Sequence, residues 1–264
     1  MYRAYANGKN DKVDFLVFPE FYMPLQWISD VLAFVRKSGI TVVSGLQYVT
    51  SGHQAYNNVA IFAPVNTGRY TSSVLFAREK NDYAPMERQI LALEKYICVD
   101  QEKPVYQMIN NRGIDYGLFL CYEFTDIIAR ALYKDKVDII FTPEHNRDTS
   151  YFSNIIETTA RDLHVFIVQA NTSIYGDSRI TGPFGRNDRN VLQIKGGDKD
   201  DIIIGTIELG KVKKYQQDEK VDFDNKIQEY LKYNRKQKYE EEQKLFKEQK
   251  IKIAKTSARF GGNK

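Results

Sequence analysis

Gly117-Leu-Phe-Leu-Cys121-Tyr-Glu123 is an apolar run that ends abruptly in a thiol and a carboxylate. The apolar part predicts a strand over Ile114–Leu120, and Asn110-Asn-Arg-Gly113 before it reads as a turn to a paired strand over Val105–Ile109. Beyond Glu123 the pattern changes period. Phe124–Tyr133 reads as a helix, Val137–Thr142 as a strand, Tyr151–Asp162 as a helix and Val165–Ala170 as a strand. Two more strands are expected near Val191–Ile194 and Ile202–Glu208, joined by a turn at Gly196-Gly197. Thr142-Pro-Glu144-His-Asn146-Arg-Asp148, after a strand, reads as a polar loop. Strands and helices alternating at this density point to a layered α/β architecture.

The same reading extends toward the N-terminus. Val13–Phe18 is an apolar strand followed at once by Pro19-Glu20-Phe21. Leu25–Lys37 carries apolar residues at helical spacing, with Gly39 as its stop. Ile40–Val49, Asn57–Ala63 and Tyr70–Ala77 read as strands, and Met86–Tyr96 as a helix. No segment repeats another.

Composition limits the functional classes. Of the 264 residues, 42% are hydrophobic and 27% charged, enough for a sizeable core. No apolar run approaches the roughly 18–20 residues that span a bilayer, so no membrane association is expected. Cys98 and Cys121 are the only cysteines, which excludes a disulfide framework and a multi-cysteine zinc site and suits a reducing cytoplasm. His53, His145 and His164 show no metal-ligand spacing, and neither nucleotide-binding glycine motifs nor a serine-nucleophile elbow occur. Neither metal nor organic cofactor is expected.

Charge is uneven. Lys211 to Lys264 holds 16 Lys/Arg against 9 Asp/Glu, a local +7, which leaves −3 for Met1 to Gly210. The expected division is therefore a domain over residues 1–210 and a basic extension over 211–264, with a long exposed helix over Val221–Lys250. Tyr215, Tyr230, Tyr233 and Tyr239 interleave with lysines there. That pattern fits a helix packing onto a partner or oligomer arm, or single-stranded nucleic acid.

Three residues stand where chemistry begins. Cys121 closes an apolar strand, where nearby backbone N–H groups favour thiolate, although cysteine also fills cores. Glu20 follows a strand and a proline; apolar surroundings would suit it to proton abstraction, and an ordinary strand-end acid is the plainer reading. Lys80 ends Val74-Leu-Phe-Ala-Arg-Glu-Lys80, where an ammonium can stabilise a developing oxyanion or simply meet solvent.

Taken in order, these stretches resemble one family. Phe18-Pro-Glu20-Phe21, then Lys80-Asn-Asp-Tyr-Ala-Pro85-Met-Glu87, then Leu120-Cys-Tyr-Glu123 is similar to the signature of the nitrilase, or carbon–nitrogen hydrolase, superfamily. Asn171 with Gly176-Asp-Ser-Arg-Ile180 and Pro183 resembles a later motif. The resemblance implies a four-layer α-β-β-α sandwich and hydrolysis of amide or nitrile carbon–nitrogen bonds. It implies Cys121 as nucleophile, Glu20 as base and Lys80 as oxyanion stabiliser, with Glu87 and Glu123 auxiliary. Tyr122, Glu144, Asn146 and Asn171 fall where substrate contacts are expected. The implied partners are a small amide-like substrate and further copies of the chain.

Departures accompany it. Phe124-Thr-Asp-Ile127 replaces the usual continuation after the cysteine, and the resemblance leads one to expect an opening strand and helix before the glutamate, about twenty residues more than stand in front of Glu20. A non-catalytic or regulatory assembly module is the competing expectation, as in nitrilase-like domains fused to bacterial reverse transcriptases in phage defence, which the Asn171–Arg179 stretch resembles.

Overall fold

A computed structural model describes residues 13–185, 188–196, 202–214 and 216. The chain divides into two units, Met1–Lys213 and Lys214–Lys264. The architecture below is that of the first. The expected helix over Val221–Lys250, the interleaved tyrosines and the region in front of Val13 lie outside the described residues.

The first half forms β1 (Phe15–Val17), α1 (Ile28–Ser38, led in by a 3-10 turn at Leu25–Trp27), β2 (Thr41–Gly45), β3 (Val49–Ser51), β4 (Gln54–Tyr56), β5 (Asn58–Asn66) and β6 (Thr71–Glu79). It continues with α2 (Pro85–Leu93) and β7 (Ile97–Cys98). The second half forms β8 (Met108–Asn111), β9 (Ile114–Leu118), α3 (Ile127–Ala131), β10 (Ile139–Glu144), α4 (Thr149–Leu163), β11 (Phe166–Asn171), β12 (Ser178–Thr181) and β13 (Asn190–Ile194).

These strands build a four-stranded sheet, β1-β2-β5-β6, a six-stranded sheet, β13-β12-β11-β10-β9-β8, and a small sheet, β3-β4-β7. Alternation along each strand assigns its two faces. Val43, Val59 and Ile61 of the first large sheet meet Tyr116, Leu118, Ile139, Phe141 and Phe166 of the second in one buried cluster. The opposite face of the first sheet, with Val42, Ala60 and Phe62, packs on Val31, Phe34 and Val35 of α1. The outer face of the second, with Ile140 and Ile167, packs on Ala129, Phe152 and Ile156 of α3 and α4. The result is the expected α-β-β-α sandwich.

β9, β10 and β11 run parallel, and β1 runs parallel to β2. β6 is antiparallel to β5, itself antiparallel to β2, so β6 runs with β2. The ends of β1, β6, β9 and β10 carry Glu20, Lys80, Cys121 and Glu144. Ligands gather at such carboxyl ends because chain reversals there leave a crevice.

Several boundaries differ from expectation, each with a local cause. The strand expected over Ile40–Val49 stops at Gly45, which abuts the Glu20 loop: a Cβ on Gly45 would stand 2.5 Å from the Cα of Glu20. Gly45 N–H donates to Pro19 O, and Met23 N–H to Gly45 O, so this strand end grips the Glu20 turn. The helix expected over Phe124–Tyr133 is a 3-10 turn, Cys121–Thr125, and then α3, because Asp126 caps the N–H groups of Ile128 and Ala129. Pro143 and Glu144 are not loop residues; they continue β10, in register with Ala170 and Asn171.

No strand forms over 202–208; Ile202 packs into the α1 cluster and Ile207 between the sheets, so this segment crosses the sandwich rather than extending one sheet. Gly197 of the expected hairpin lies outside the described residues. The Asn110–Gly113 turn is present, with Arg112 and Gly113 both left-handed (φ 57° and 74°), as a two-residue hairpin requires.

Gly45→Ala forces backbone against backbone, so the expected loss of stability is about 1–3 kcal/mol, the usual cost of overpacking. A urea-unfolding midpoint equal to that of the wild type would contradict the close approach.

Candidate active site

Lys80 is 1% exposed, and its ammonium is held from two sides. Nζ donates to Glu20 Oε1 at 2.8 Å and to Glu87 Oε2 at 2.6 Å. Burial alone would lower the lysine pKa. The charges of Glu20 and Glu87 outweigh it and raise the value, so the ammonium stays charged. Lys80 N–H donates to Asn57 O at 2.7 Å, which fixes where the strand lets go.

Glu20 sits in the turn after β1 and is 4% exposed. Its Oε1 accepts from both Lys80 Nζ and Asn57 Nδ2, each at 2.8 Å. Its Oε2 accepts from no described residue. Asn57 Nδ2 also donates to Glu87 Oε1 at 2.8 Å, and Tyr48 Oη donates to that same oxygen at 2.7 Å. Glu87 lies in the first turn of α2, where Oε2 also accepts from Ala84 N–H at 3.4 Å. Pro85 at the helix start sets this geometry without a wasted N–H.

Cys121 opens the 3-10 turn after β9 with φ 49°, a left-handed conformation that a cysteine pays for in strain of roughly 1–3 kcal/mol. It is buried, and burial first, then the charge of Glu20, pushes its thiol well up; Lys80 and the backbone N–H of His145 pull the other way. At neutral pH the sulfur carries its proton.

A buried ion pair anchors that turn. Arg78 grips Glu123 with both guanidinium nitrogens, at 2.7 and 2.6 Å. Glu123 also accepts from Leu120 N–H at 2.8 Å and from Asn81 N–H. Those two peptides flank Cys121 and Lys80 respectively. One carboxylate thus ties the Cys121 turn to the end of β6, and Arg78 adds a bond to Leu118 O at 3.0 Å.

A thiol, a carboxylate with an uncommitted oxygen and an enclosed ammonium together suit acyl transfer. The carbon–nitrogen hydrolase family model matches residues 3–217. The chain belongs to the carbon–nitrogen hydrolase family. An (R)-stereoselective amidase from Pseudomonas sp. is 24% identical over 201 residues, 66% of this chain and 67% of that protein. The NitN amidase from Neterenkonia sp. AN1 superposes with a TM-score of 0.56 at 18% identity, covering 74% of this chain and 80% of that one. A mutant amidase from Nesterenkonia sp. AN1, with the acetamide moiety of fluoroacetamide added covalently at its active-site cysteine, gives 0.55 at 17%, covering 74% and 78%. At these identities the superpositions establish a shared fold.

Within this carbon–nitrogen hydrolase the other sequence candidates divide. Tyr122 and Asn146 are half-buried at the rim. Asn171 has no free polar atom: Nδ2 donates to Asn146 O and Gly176 O, and Oδ1 accepts from Asn146 and Thr172 N–H, so it shapes the loops. Glu144 is fully buried, bonded to Thr142 Oγ1 and Gln169 Nε2 at 3.1 and 2.7 Å, behind the surface a substrate would touch.

Asn57, Tyr48, Arg78 and Asn81 went unnoticed in the sequence. The one available signal is Arg78, a cation directly after the apolar run Val74–Ala77 and inside β6. A separate cleft of about 520 Å³, lined by Arg36, Lys37 and Arg112, lies at the opposite end of the strands. Arg36 and Lys37 sit in the last turn of α1, where cations offset the helix dipole, and Arg112 donates to Gly39 O at 2.9 Å.

No described element carries a helix long and apolar enough to cross a membrane.

Arg78→Met leaves Glu123 charged and buried without its cation. The expected destabilisation is about 3–5 kcal/mol in chemical denaturation, the usual cost of breaking a buried pair. A change below about 1 kcal/mol, the range of exposed pairs, would show that Glu123 is not held as described.

Proposed function

We propose that the protein hydrolyses the carbon–nitrogen bond of small amide-type substrates, with Cys121 as nucleophile, Glu20 as general base and acid, and Lys80 as oxyanion stabiliser. The observation that carries this reading is the divided use of Glu20. Lys80 and Asn57 hold Oε1, which leaves Oε2 to receive a proton.

The chemistry follows from the geometry. The Cys121 thiol is pushed up by burial, so it needs a base to become a nucleophile. Glu20 takes the proton, Sγ bonds to the carbonyl carbon, and the carbonyl electrons move onto oxygen. Lys80 has spent two of its three protons on carboxylates. The third, with the N–H of Tyr122 one peptide beyond the sulfur, meets the oxyanion. When the tetrahedral adduct collapses, the carbon–nitrogen bond breaks and Glu20 returns its proton to the leaving amine. Glu20 then deprotonates water, which attacks the thioester and releases the carboxylic acid; the sulfur regains a proton.

Glu87 acts through Lys80 and Asn57 rather than on substrate, and Glu123 holds the nucleophile turn. All of these residues fall within residues 1–210. The alternative of a non-catalytic module gains no support from a site whose three chemical groups converge.

Two measurements test this. Iodoacetamide should alkylate Cys121 faster than Cys98, whose thiol burial also raises, and Glu20→Gln should slow labelling at Cys121 alone. Equal labelling of both cysteines, indifferent to Glu20→Gln, would sink the assignment. In ammonia-release assays with aliphatic and aromatic amides, Glu20→Gln should lower turnover by roughly 10²–10⁴-fold, the range for a lost general base, and Cys121→Ala should abolish it.

A further inference from the structure

Glu144 is fully buried, yet among the described residues no cation bonds its carboxyl. Its carboxyl bonds the Thr142 hydroxyl on its own strand and the Gln169 amide on β11, the register partner of Thr142, and the neutral Asn146 side chain also faces it. Its main chain enters the site twice. Glu144 O accepts the N–H of Glu20 at 3.4 Å, and the next N–H, of His145, lies near enough to the Cys121 sulfur to pull its thiol downward. The end of β10 therefore sits between the base and the nucleophile.

We propose that Glu144 is a positioning residue for the hydrolysis, acting as a neutral acid that locks the end of β10 so that its carbonyl steadies Glu20 and the His145 N–H meets the Cys121 sulfur. The proposal rests on the hydrolase reading above.

A carboxyl among neutral partners is cheapest to bury protonated. Burial, with the Glu20 charge added, pushes Glu144 up to about 8. The carbonyl oxygen of Gln169 is buried without a donor. Turning that amide by 180° places it against Glu144 Oε2, where it accepts the acid proton. The acid proton of the neutral form thus finds an acceptor in the Gln169 carbonyl oxygen.

The groups that respond are few. Glu20 faces Glu144 from the end of β1 and Cys121 from the turn after β9. β11 offers neutral Gln169 and Asn171, β2 ends in Ser44 and Gly45, and exposed His145 follows on the same strand. Lys80 reaches the cluster through Glu20 and Cys121.

The sign follows. Below about pH 8 Glu144 is neutral; above it, a new negative charge stands near both Cys121 and Glu20 and opposes thiolate formation. Because the folded-state value lies above the unfolded one, the stability associated with protonation is complete below the unfolded value and is lost as pH rises through about 8.

The test uses the full chain and two readouts. The first is the rate of Cys121 alkylation by iodoacetamide, measured on its peptide by mass spectrometry, and the second is kcat/KM for acetamide, both from pH 6 to 10. The ratio of Glu144→Gln to wild type should rise at least about threefold between pH 6.5 and pH 9.5, the size expected when one nearby charge is removed. Glu144→Asp should retain a break in the profile at a shifted pH. A ratio constant across pH, in either readout, would overturn the proposal. Should Glu144→Gln fail to fold, Thr142→Val decides: losing a donor to the carboxylate should move the wild-type break upward, and an unmoved break counts against Glu144. Wild type that turns over no amide yet shows the expected alkylation ratio would sink the hydrolase reading and sustain the role of Glu144 at the thiol.

Discussion

An ammonium removed from water must be surrounded by opposite charge, and the site grows out of that demand at Lys80. Desolvating a lysine costs several kcal/mol unless carboxylates meet it with good geometry. Glu20 and Glu87 do so, and neither comes from the strand that carries Lys80. Asn57 then bonds both carboxylates through one amide nitrogen while its own carbonyl receives Lys80 N–H. Four residues from separate stretches of chain are thereby locked to one another. Shifting any one leaves a buried charge without its partner, so the geometry resists drift.

The second buried pair does for Cys121 what the first does for Glu20. Glu123 accepts the peptide N–H groups beside Cys121 and beside Lys80 while Arg78 cancels its charge. A left-handed cysteine is unfavourable on its own, and the peptide before it is pinned by this carboxylate. The strain is held by a bond network that also sets the distance between sheets at that edge. Gly45 completes the arrangement from the other side, since only a residue without Cβ lets β2 approach the Glu20 turn so closely.

What could be read from sequence tracks how local each cause is. Gly39 stops α1 through its own left-handed backbone, and the Arg112-Gly113 hairpin follows from two adjacent residues, so both were legible. Glu20, Lys80 and Cys121 were legible as polar residues placed where apolar strands end. Asn57 was not, because its role depends on partners 37 and 30 residues away. Arg78 finds Glu123 across 45 residues. Thr142-Pro-Glu144 reads as loop because polar residues after an apolar run usually are; pairing with Gln169, Ala170 and Asn171 of β11, invisible in one strand's pattern, keeps them in the sheet. Asp126 lies inside the expected Phe124–Tyr133 helix, whereas its side chain starts a new one.

The balance of buried charge explains why these groups suit one another. Arg78 and Glu123 cancel. Glu20, Glu87 and Lys80 sum to −1, and Glu144 adds nothing while protonated. A thiolate formed by losing its proton to solvent would take the buried total to −2 in a region that water does not screen, which is why the thiol sits high. Passing the proton from sulfur to Glu20 leaves the total at −1, because it moves a charge instead of creating one. Attack on a neutral carbonyl then carries the same charge onward, from sulfur to an oxygen beside Lys80. Every step of the proposed reaction thus conserves the buried charge for a neutral substrate, whereas an anionic group carried in with the substrate would add to it at each one.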